Sequence, residues 1–263
     1  MFGRLRTRDR VVLQVLATLI AIPFAYPIIV IVATSFEGQG AIENYTAVLT
    51  RTPFLRFLAN SAIIAGGTIV ITFVCTMLAA YAFSKLRFPG RQMLFVVVLG
   101  GLVLPAIALI VPIFTIMLGL GLMNTHIAVI LPLAAITIPF TVLLAKNFLD
   151  GVPDEILEAA KIDGANTLGT LFWIVLPLAR PIIAVVLVWT FLQSWNEFFL
   201  PLLLLQSSDM QAVTQVPLYF TSEYGSDTPK IFASLVLISL PVTIAYLSLQ
   251  KLFERGLTAG AVK

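Results

Sequence analysis

Long apolar runs separated by short polar clusters dominate the sequence. A helix needs about 20 consecutive apolar residues to cross a hydrocarbon core of about 30 Å, and these runs reach or exceed that length. The pattern therefore predicts an all-α membrane protein with six transmembrane helices. The predicted spans lie at residues 11–34, 58–83, 92–118, 126–145, 181–205 and 231–250.

Prolines lie within or near most of these runs and predict bends, because proline lacks a backbone donor and disturbs the preceding helical turn. The residues concerned are Pro23, Pro27, Pro105, Pro112, Pro132, Pro139, Pro201 and Pro241. Broken helices expose carbonyl groups that can line a wet cavity. For any single proline, a static kink accommodated by packing is an equally good interpretation.

The lysines and arginines indicate how the spans are oriented. When six spans are threaded with the N-terminus inside, only Arg51, Arg56 and Lys230 of the 16 basic residues fall outside. Basic residues near span ends resist translocation, so both termini are predicted in the cytoplasm. Residues 1–10 then form an N-terminal segment and residues 251–263 a cytoplasmic tail. We interpret the first run as a retained span, because it is longer than the apolar region of a signal peptide and no small-residue cleavage site follows it.

Composition excludes several classes of site. Only 11% of the residues are charged, against about 25% in soluble domains. The net charge of +3 arises from basic residues in the loops and indicates no nucleic-acid partner. The single Cys75 permits no disulfide framework, and the single His126 permits no histidine pair for zinc. We therefore predict a protein with no metal site and no catalytic residues, with His126 in a capping or interfacial role.

The predicted cytoplasmic connection at residues 146–180 is too long for a simple turn. Pro153 suits the first turn of a helix, acidic residues follow it, and Gly164 supplies a stop. The connection therefore contains a short helix at about residues 153–164, within the membrane domain of residues 11–250. Spacings of three and four place Ile156, Ala159 and Ala160 on one of its faces.

This segment carries the most specific motif of the chain. Glu158, Ala159 and Ala160 are followed after three residues by Gly164, and nine residues later residues 174–177 read Ile-Val-Leu-Pro. The pattern resembles the EAA motif of ATP-binding-cassette (ABC) importer permeases. The resemblance implies that the short helix is a coupling helix that docks into a separate ATPase subunit. The implied docking residues are Glu155, Glu158, Ala159, Ala160, Asp163 and Gly164.

Further stretches narrow the resemblance to carbohydrate permeases of the maltose-permease type. Residues 79–82 read Ala-Ala-Tyr-Ala, residues 87–91 read Arg-Phe-Pro-Gly-Arg, and residues 195–197 read Trp-Asn-Glu. The resemblance implies the type I ABC importer permease fold and a heterodimer. It also implies that the chain's tail contacts the ATPase. The tail residues concerned are Thr258, Ala259, Gly260 and Ala261.

The resemblance also implies the partners. They are a second homologous permease subunit, two ATP-binding subunits and an extracytoplasmic solute-binding protein, which would meet the loops at residues 35–57 and 206–230. ATP and Mg belong to the ATPase, so no cofactor is expected in this chain. The same resemblance implies that the cargo is a sugar or related solute, moved by alternating access. It further implies a bacterial cytoplasmic (inner) membrane as the setting, with lipid around the spans.

Glu197 is the carboxylate that the pattern places inside a span. Such a group is costly unless it faces protein, water or a partner. With Gln193, Ser194 and Asn196 it forms the most polar patch of any predicted span. Two interpretations stand: these four residues line the solute path, or they form hydrogen bonds that pin the fifth span to its neighbours.

Three other functions remain as alternatives to a permease subunit. A self-sufficient channel or secondary carrier would share the hydrophobicity but would need no docking helix. An intramembrane enzyme has few candidates for a nucleophile with its base. A purely structural assembly subunit, with the path in its partner, is the third.

Overall fold

The computed structural model describes residues 7–222 and 225–259, with side chains described for residues 10–222 and 225–248. Helices form most of this region. They are α1 Thr7–Thr34, α2 Ala41–Arg51, α3 Phe54–Lys85, α4 Arg91–Gly100, α5 Ala106–Gly119, α6 His126–Asp150, α7 Asp154–Ile162, α8 Thr167–Thr170, α9 Leu176–Leu178, α10 Arg180–Trp195, α11 Phe199–Leu204 and α12 Thr228–Ala259. Short 3₁₀ segments occur at Gly101–Val103 and Val213–Phe220, and β1 (Thr221–Ser222) pairs antiparallel with β2 (Gly225–Ser226).

Within these described ranges, four helices are long and apolar enough to cross a membrane. They are Arg10–Thr34, Phe54–Lys85, His126–Asp150 and Thr228–Ser248. Two bent helix pairs raise the number to six if each pair forms one span. The four unbroken helices coincide with the first, second, fourth and sixth predicted spans.

The third predicted span, residues 92–118, is a broken pair rather than one helix. Arg91–Val103 and Ala106–Gly119 meet at an angle of 101°. Leu104 and Pro105 between them have extended backbones, with ψ angles of 119° and 126°. Proline disfavours a helical conformation in the residue before it, which explains why the break occurs here.

The fifth predicted span, residues 181–205, is also not continuous. Helix α10 ends at Trp195, and α11 begins only at Phe199. A further helical stretch, Thr167–Leu178, precedes α10 at an angle of 82°. Pro181, near the start of α10, has no N–H and its ring clashes with the carbonyl four residues back, so the two helices cannot continue as one.

The described residues of 55–215 and 241–263 form one compact unit. Its largest core cluster joins α3, α6, α7, the 167–178 stretch and α10, with Tyr81, Leu149, Leu157, Leu171 and Val185 among its members. A second cluster joins α3, α5, α6 and α11. Burial of this apolar surface within the unit fixes the positions of the short helices between the spans.

The described residues of 1–54 and 216–240 form the other compact unit. Buried Asn44 donates from Nδ2 to the carbonyls of Ser35 and Glu37, which closes the turn between α1 and α2. Lys230 is nearly buried, and its ammonium pairs with Asp227 and lies 3.0 Å from Gln39 Oε1. Polar side chains therefore organise this unit where helices end.

Candidate functional site

Helix α7 has well-defined ends that its sequence explains. Pro153 precedes it, and Gly164 follows it with a φ of +84° that favours glycine. The Ala165 N–H donates to the Ala160 carbonyl and the Gly164 N–H donates to the Lys161 carbonyl. This is the Schellman arrangement, which satisfies carbonyls at a helix end. The short helix predicted at about residues 153–164 is therefore present, over Asp154–Ile162.

The face predicted to hold Ile156, Ala159 and Ala160 together is split in the structure. Leu157 and Ala160, three residues apart, are buried, and Leu157 belongs to the core cluster, whereas Ile156 and Ala159 are exposed. Ala160, expected among the docking residues, is only 3% exposed and faces the core. The other expected docking residues lie on the exposed side: Glu155, Glu158, Ala159, Asp163 and Gly164.

The end of α3 holds the start of α7 through charged groups. The Lys85 ammonium donates to the Val152 carbonyl at 2.6 Å and to Asp154 Oδ1 at 2.7 Å. Its side chain is only 6% exposed. The hydrogen bond and the charge of Lys85 lower the pKa of the Asp154 carboxyl, so Asp154 is ionised at neutral pH.

A second contact ties the end of α6 to the same region. Ser84 Oγ lies 2.7 Å from Asp150 Oδ1, and Lys146 Nζ lies 2.7 Å from Asp150 Oδ2. The adjacent residues Ser84 and Lys85 at the end of α3 therefore contact the end of α6 and the start of α7, on the two sides of the turn between these helices. A cavity of about 510 Å³ lies beside this turn. Its lining includes Lys85, Arg87, Asp154, Glu158, Lys161 and Thr170.

Comparison with known proteins identifies the class to which this architecture belongs. Residues 72–259 match the family described as binding-protein-dependent transport system inner membrane component. The chain belongs to this family. It is a multi-pass membrane protein and the permease subunit of a binding-protein-dependent ABC importer, and it is not an enzyme. Family membership removes the self-sufficient carrier and the intramembrane enzyme from the alternatives.

Relatives and a solved structure match nearly the whole permease. The trehalose/maltose transport system permease protein MalG of Thermococcus litoralis is 33% identical over 271 residues, covering 97% of both chains. The diacetylchitobiose uptake system permease protein NgcG of Streptomyces coelicolor is 31% identical, covering 90% of this chain and 83% of the relative. A bacterial ABC transporter involved in the import of the acidic polysaccharide alginate matches with a TM-score of 0.77 at 24% identity, covering 95% and 99%. The predicted type I permease fold is thereby confirmed. Permeases of this family work with a second permease, ATPases and a binding protein.

The four polar residues expected to line the solute path surround the break between α10 and α11. Ser194 is buried, with its hydroxyl 2.7 Å from the Thr190 carbonyl, while Gln193 and Asn196 are exposed. Glu197 Oε1 accepts the Leu200 N–H at 3.0 Å, which caps the start of α11. The four residues therefore do not share one face of this permease.

Glu197 also lines a mostly apolar cavity of about 260 Å³. The other lining residues are Ala106, Ile107, Ile110, Ile136, Phe199 and Leu200. Ala106 and Ile107 begin α5 directly after the Leu104–Pro105 break. The cavity therefore lies where the two broken spans approach each other.

A polar cluster that sequence reasoning missed joins the loop after α11 to α3 and α6. Asn60 donates from Nδ2 to the Asp209 and Gln211 carbonyls at 2.9 Å, and His126 Nε2 lies 3.1 Å from Asn60 Oδ1. Ser61 Oγ accepts the Val213 N–H. The one signal of this cluster in the sequence is that polar residues such as Asn60 and Ser61 lie near the start of an apolar run. That signal does not indicate which loop these residues bind.

The tail residues expected to contact the ATPase lie at the edge of the described chain. Helix α12 extends to Ala259, so the backbone of Thr258 and Ala259 is helical. Gly260 and Ala261 lie outside the described residues.

Proposed function

We propose that α7 is the coupling helix through which an ATPase subunit moves this permease, and that it lies on the cytoplasmic side with both chain termini. The observation that carries the proposal is the division of α7 into two faces. One face, with Leu157 and Ala160, packs against the core of the membrane unit, and the turn before it is tied to Lys85. The opposite face presents Glu155, Glu158 and Ala159 to a partner.

A helix held in this way can transmit displacement to the spans. Closure of two ATPases around bound ATP would press on the exposed face of α7. The buried face and the Lys85 contacts would carry that movement into α3 and α6, because packed interiors do not deform continuously. The permease would then alternate between inward-facing and outward-facing states, and the binding protein would deliver solute on the side opposite α7.

The cargo that we propose is a sugar or oligosaccharide. The reported relatives support this class, since their names specify trehalose, maltose and diacetylchitobiose. Within this chain, Glu197 and the nearby Gln193 and Asn196 are the proposed solute contacts. A carboxylate accepts hydrogen bonds from hydroxyl groups, and amide groups both accept and donate them. The apolar wall with Phe199 suits the face of a sugar ring.

Neighbouring alanines provide a sharp test of docking. In a Cys75→Ser background, Ala159→Cys and Ala160→Cys place the same thiol one residue apart on α7. We expect Ala159→Cys to form a cross-link with a cysteine introduced in the ATPase, and Ala160→Cys to form none, because Ala160 faces the core. Equal cross-linking at both positions, or labelling of Ala159→Cys by an impermeant thiol reagent added outside intact cells, would contradict the proposal.

A further inference from the structure

The 167–178 stretch, here called the elbow segment, links α7 to α10 and has an exposed apolar face. It comprises α8, a π-helical turn at Leu171–Val175 and α9, and it meets α10 at 82°. Helix α10 has 16 mostly apolar residues, which span about 24 Å along its axis, enough to cross most of a hydrocarbon core of about 30 Å. A helix nearly perpendicular to a span, at the end of that span, runs close to the plane of the membrane surface.

One face of the elbow segment packs on the permease core, and the opposite face is apolar but uncovered in this chain. Thr170, Leu171, Val175 and Ala179 are buried. The exposed side bears apolar side chains instead of the charged ones expected at a water-facing surface. These are Leu168, Phe172, Trp173 and Leu178, with Trp173 83% exposed.

A π-helical turn forms the middle of the elbow segment. The Leu176 N–H donates to the Leu171 carbonyl, five residues back, which inserts one extra residue into the turn. Leu171 and Val175 are both buried, as expected for residues four apart on one face of a helix. Phe172 and Trp173 between them are exposed.

We propose that the exposed face of the elbow segment inserts into the interfacial region of the lipid bilayer and anchors the link between α7 and α10 to the membrane surface. Tryptophan favours the headgroup level, and an in-plane helix buries its apolar face about 5–10 Å into the boundary between headgroups and acyl chains. Arg180 at the bend and Lys161 before the segment are exposed and positively charged, which suits the phosphates of anionic lipids.

Two structural features of this face favour lipid over a protein partner. The face is continuous with α10, whose chain belongs to a multi-pass membrane family, so the bilayer already reaches its end. The acidic side chains that face outward on α7 are not repeated on the elbow segment, which carries Leu, Phe and Trp between flanking cations. This inference does not depend on α7 binding an ATPase.

Site-directed spin labelling of the complete importer tests the anchor. In a Cys75→Ser permease, assembled with cysteine-free partners in vesicles of phosphatidylethanolamine and phosphatidylglycerol, labels are attached at Trp173→Cys, Phe172→Cys and, as a water-facing control, Ser208→Cys in the exposed loop after α11. Collisions with oxygen report lipid, and collisions with a water-soluble nickel chelate report solvent. We expect oxygen to dominate at positions 172 and 173, at a depth of about 5–10 Å, and nickel to dominate at position 208.

Two results would overturn the anchor. Nickel dominance at both positions 172 and 173 would mean that the face is in water. Exclusion of both reagents would mean that protein covers it. Repeating the measurement on the permease pair without ATPase would then show whether the ATPase or the second permease is the cover.

Discussion

Lys85 Nζ lies 2.7 Å from Asp154 Oδ1, so the last residue of α3 is joined directly to the first residue of α7. The same ammonium group donates to the Val152 carbonyl, and the Lys85 side chain that makes both bonds is nearly buried. A membrane-spanning helix is thus attached to the proposed coupling helix by one residue, in addition to the apolar packing of Leu157 and Ala160.

Replacing Lys85 with Met should weaken the transmission of movement from α7 to α3. Methionine keeps much of the apolar stem but removes both hydrogen bonds. A hydrogen bond from a charged group to a carbonyl such as that of Val152 is worth about 1.5–3 kcal/mol. We expect several-fold less uptake per ATP hydrolysed in reconstituted vesicles, with the complex still assembled. Asp154→Ala is the matched control and should have a smaller effect, because the Asp154 side chain is 73% exposed and the Val152 bond remains. Fully coupled transport by Lys85→Met would rule out this role.

The Lys85–Asp154 pair also predicts a pH dependence. Lys85 lowers the pKa of Asp154 in the folded protein below its ordinary value of 3.8. A depressed carboxyl pKa stabilises the folded state above the unfolded pKa, and this contribution is lost as the pH falls through the folded pKa. The difference in thermal stability between the wild-type complex and Asp154→Asn should therefore be constant from about pH 5 to 8, shrink as the pH falls below 3.8 and disappear only below the lowered folded pKa of Asp154. A difference that changed between pH 6 and 8 would point to another group.

We expect substitution of Gly164 to be harmful because of its backbone conformation, and not because an added side chain would clash with its neighbours. Its φ is +84°, and a Cβ there would meet no atom within 4 Å. A left-handed conformation costs a non-glycine residue about 1–2 kcal/mol, so Gly164→Ala should distort the end of α7 and reduce coupled uptake while membrane insertion stays normal. Gly151, in the same connection, has a φ of −80°. Gly151→Ala is therefore the control and should transport normally, and an equal loss in both variants would show that the backbone conformation is not the cause.

The sequence predicted α7 well because its signals are local. Pro153 and Gly164 act on adjacent residues, and the spacing of the EAA pattern is fixed along the chain. The grouping of Ile156, Ala159 and Ala160 on one face was less accurate, because Ala160 is buried near Leu157 while Ile156 is exposed. Only the arrangement of α3, α6 and α10 decides which of these residues pack inward. Local patterns therefore predicted the helix but not its orientation.

The broken spans and the polar cluster at Asn60 show what apolar patterning cannot reveal. A run such as residues 181–205 is apolar enough on average to be read as one helix, although Glu197 caps a new helix inside it. Pro181 turns the chain at the edge of that run, where a boundary was already expected. Asn60 binds the Asp209 carbonyl across 149 residues, and no spacing along the chain encodes such a contact.

Two substitutions of Glu197 can distinguish the two interpretations of the polar patch, a lining of the solute path or a set of hydrogen bonds that hold the fifth span. Glu197→Gln retains an Oε1 atom that can accept the Leu200 N–H, so α11 should keep its cap and the complex should assemble normally. Glu197→Ala removes this hydrogen bond as well, at about 0.5–1.5 kcal/mol, and should also lower stability. If the carboxylate contacts the solute, uptake driven by ATP falls in both variants, although only Glu197→Ala is less stable. Normal uptake by Glu197→Gln would exclude the solute-path role and leave Glu197 as the residue that restarts the helix after the break.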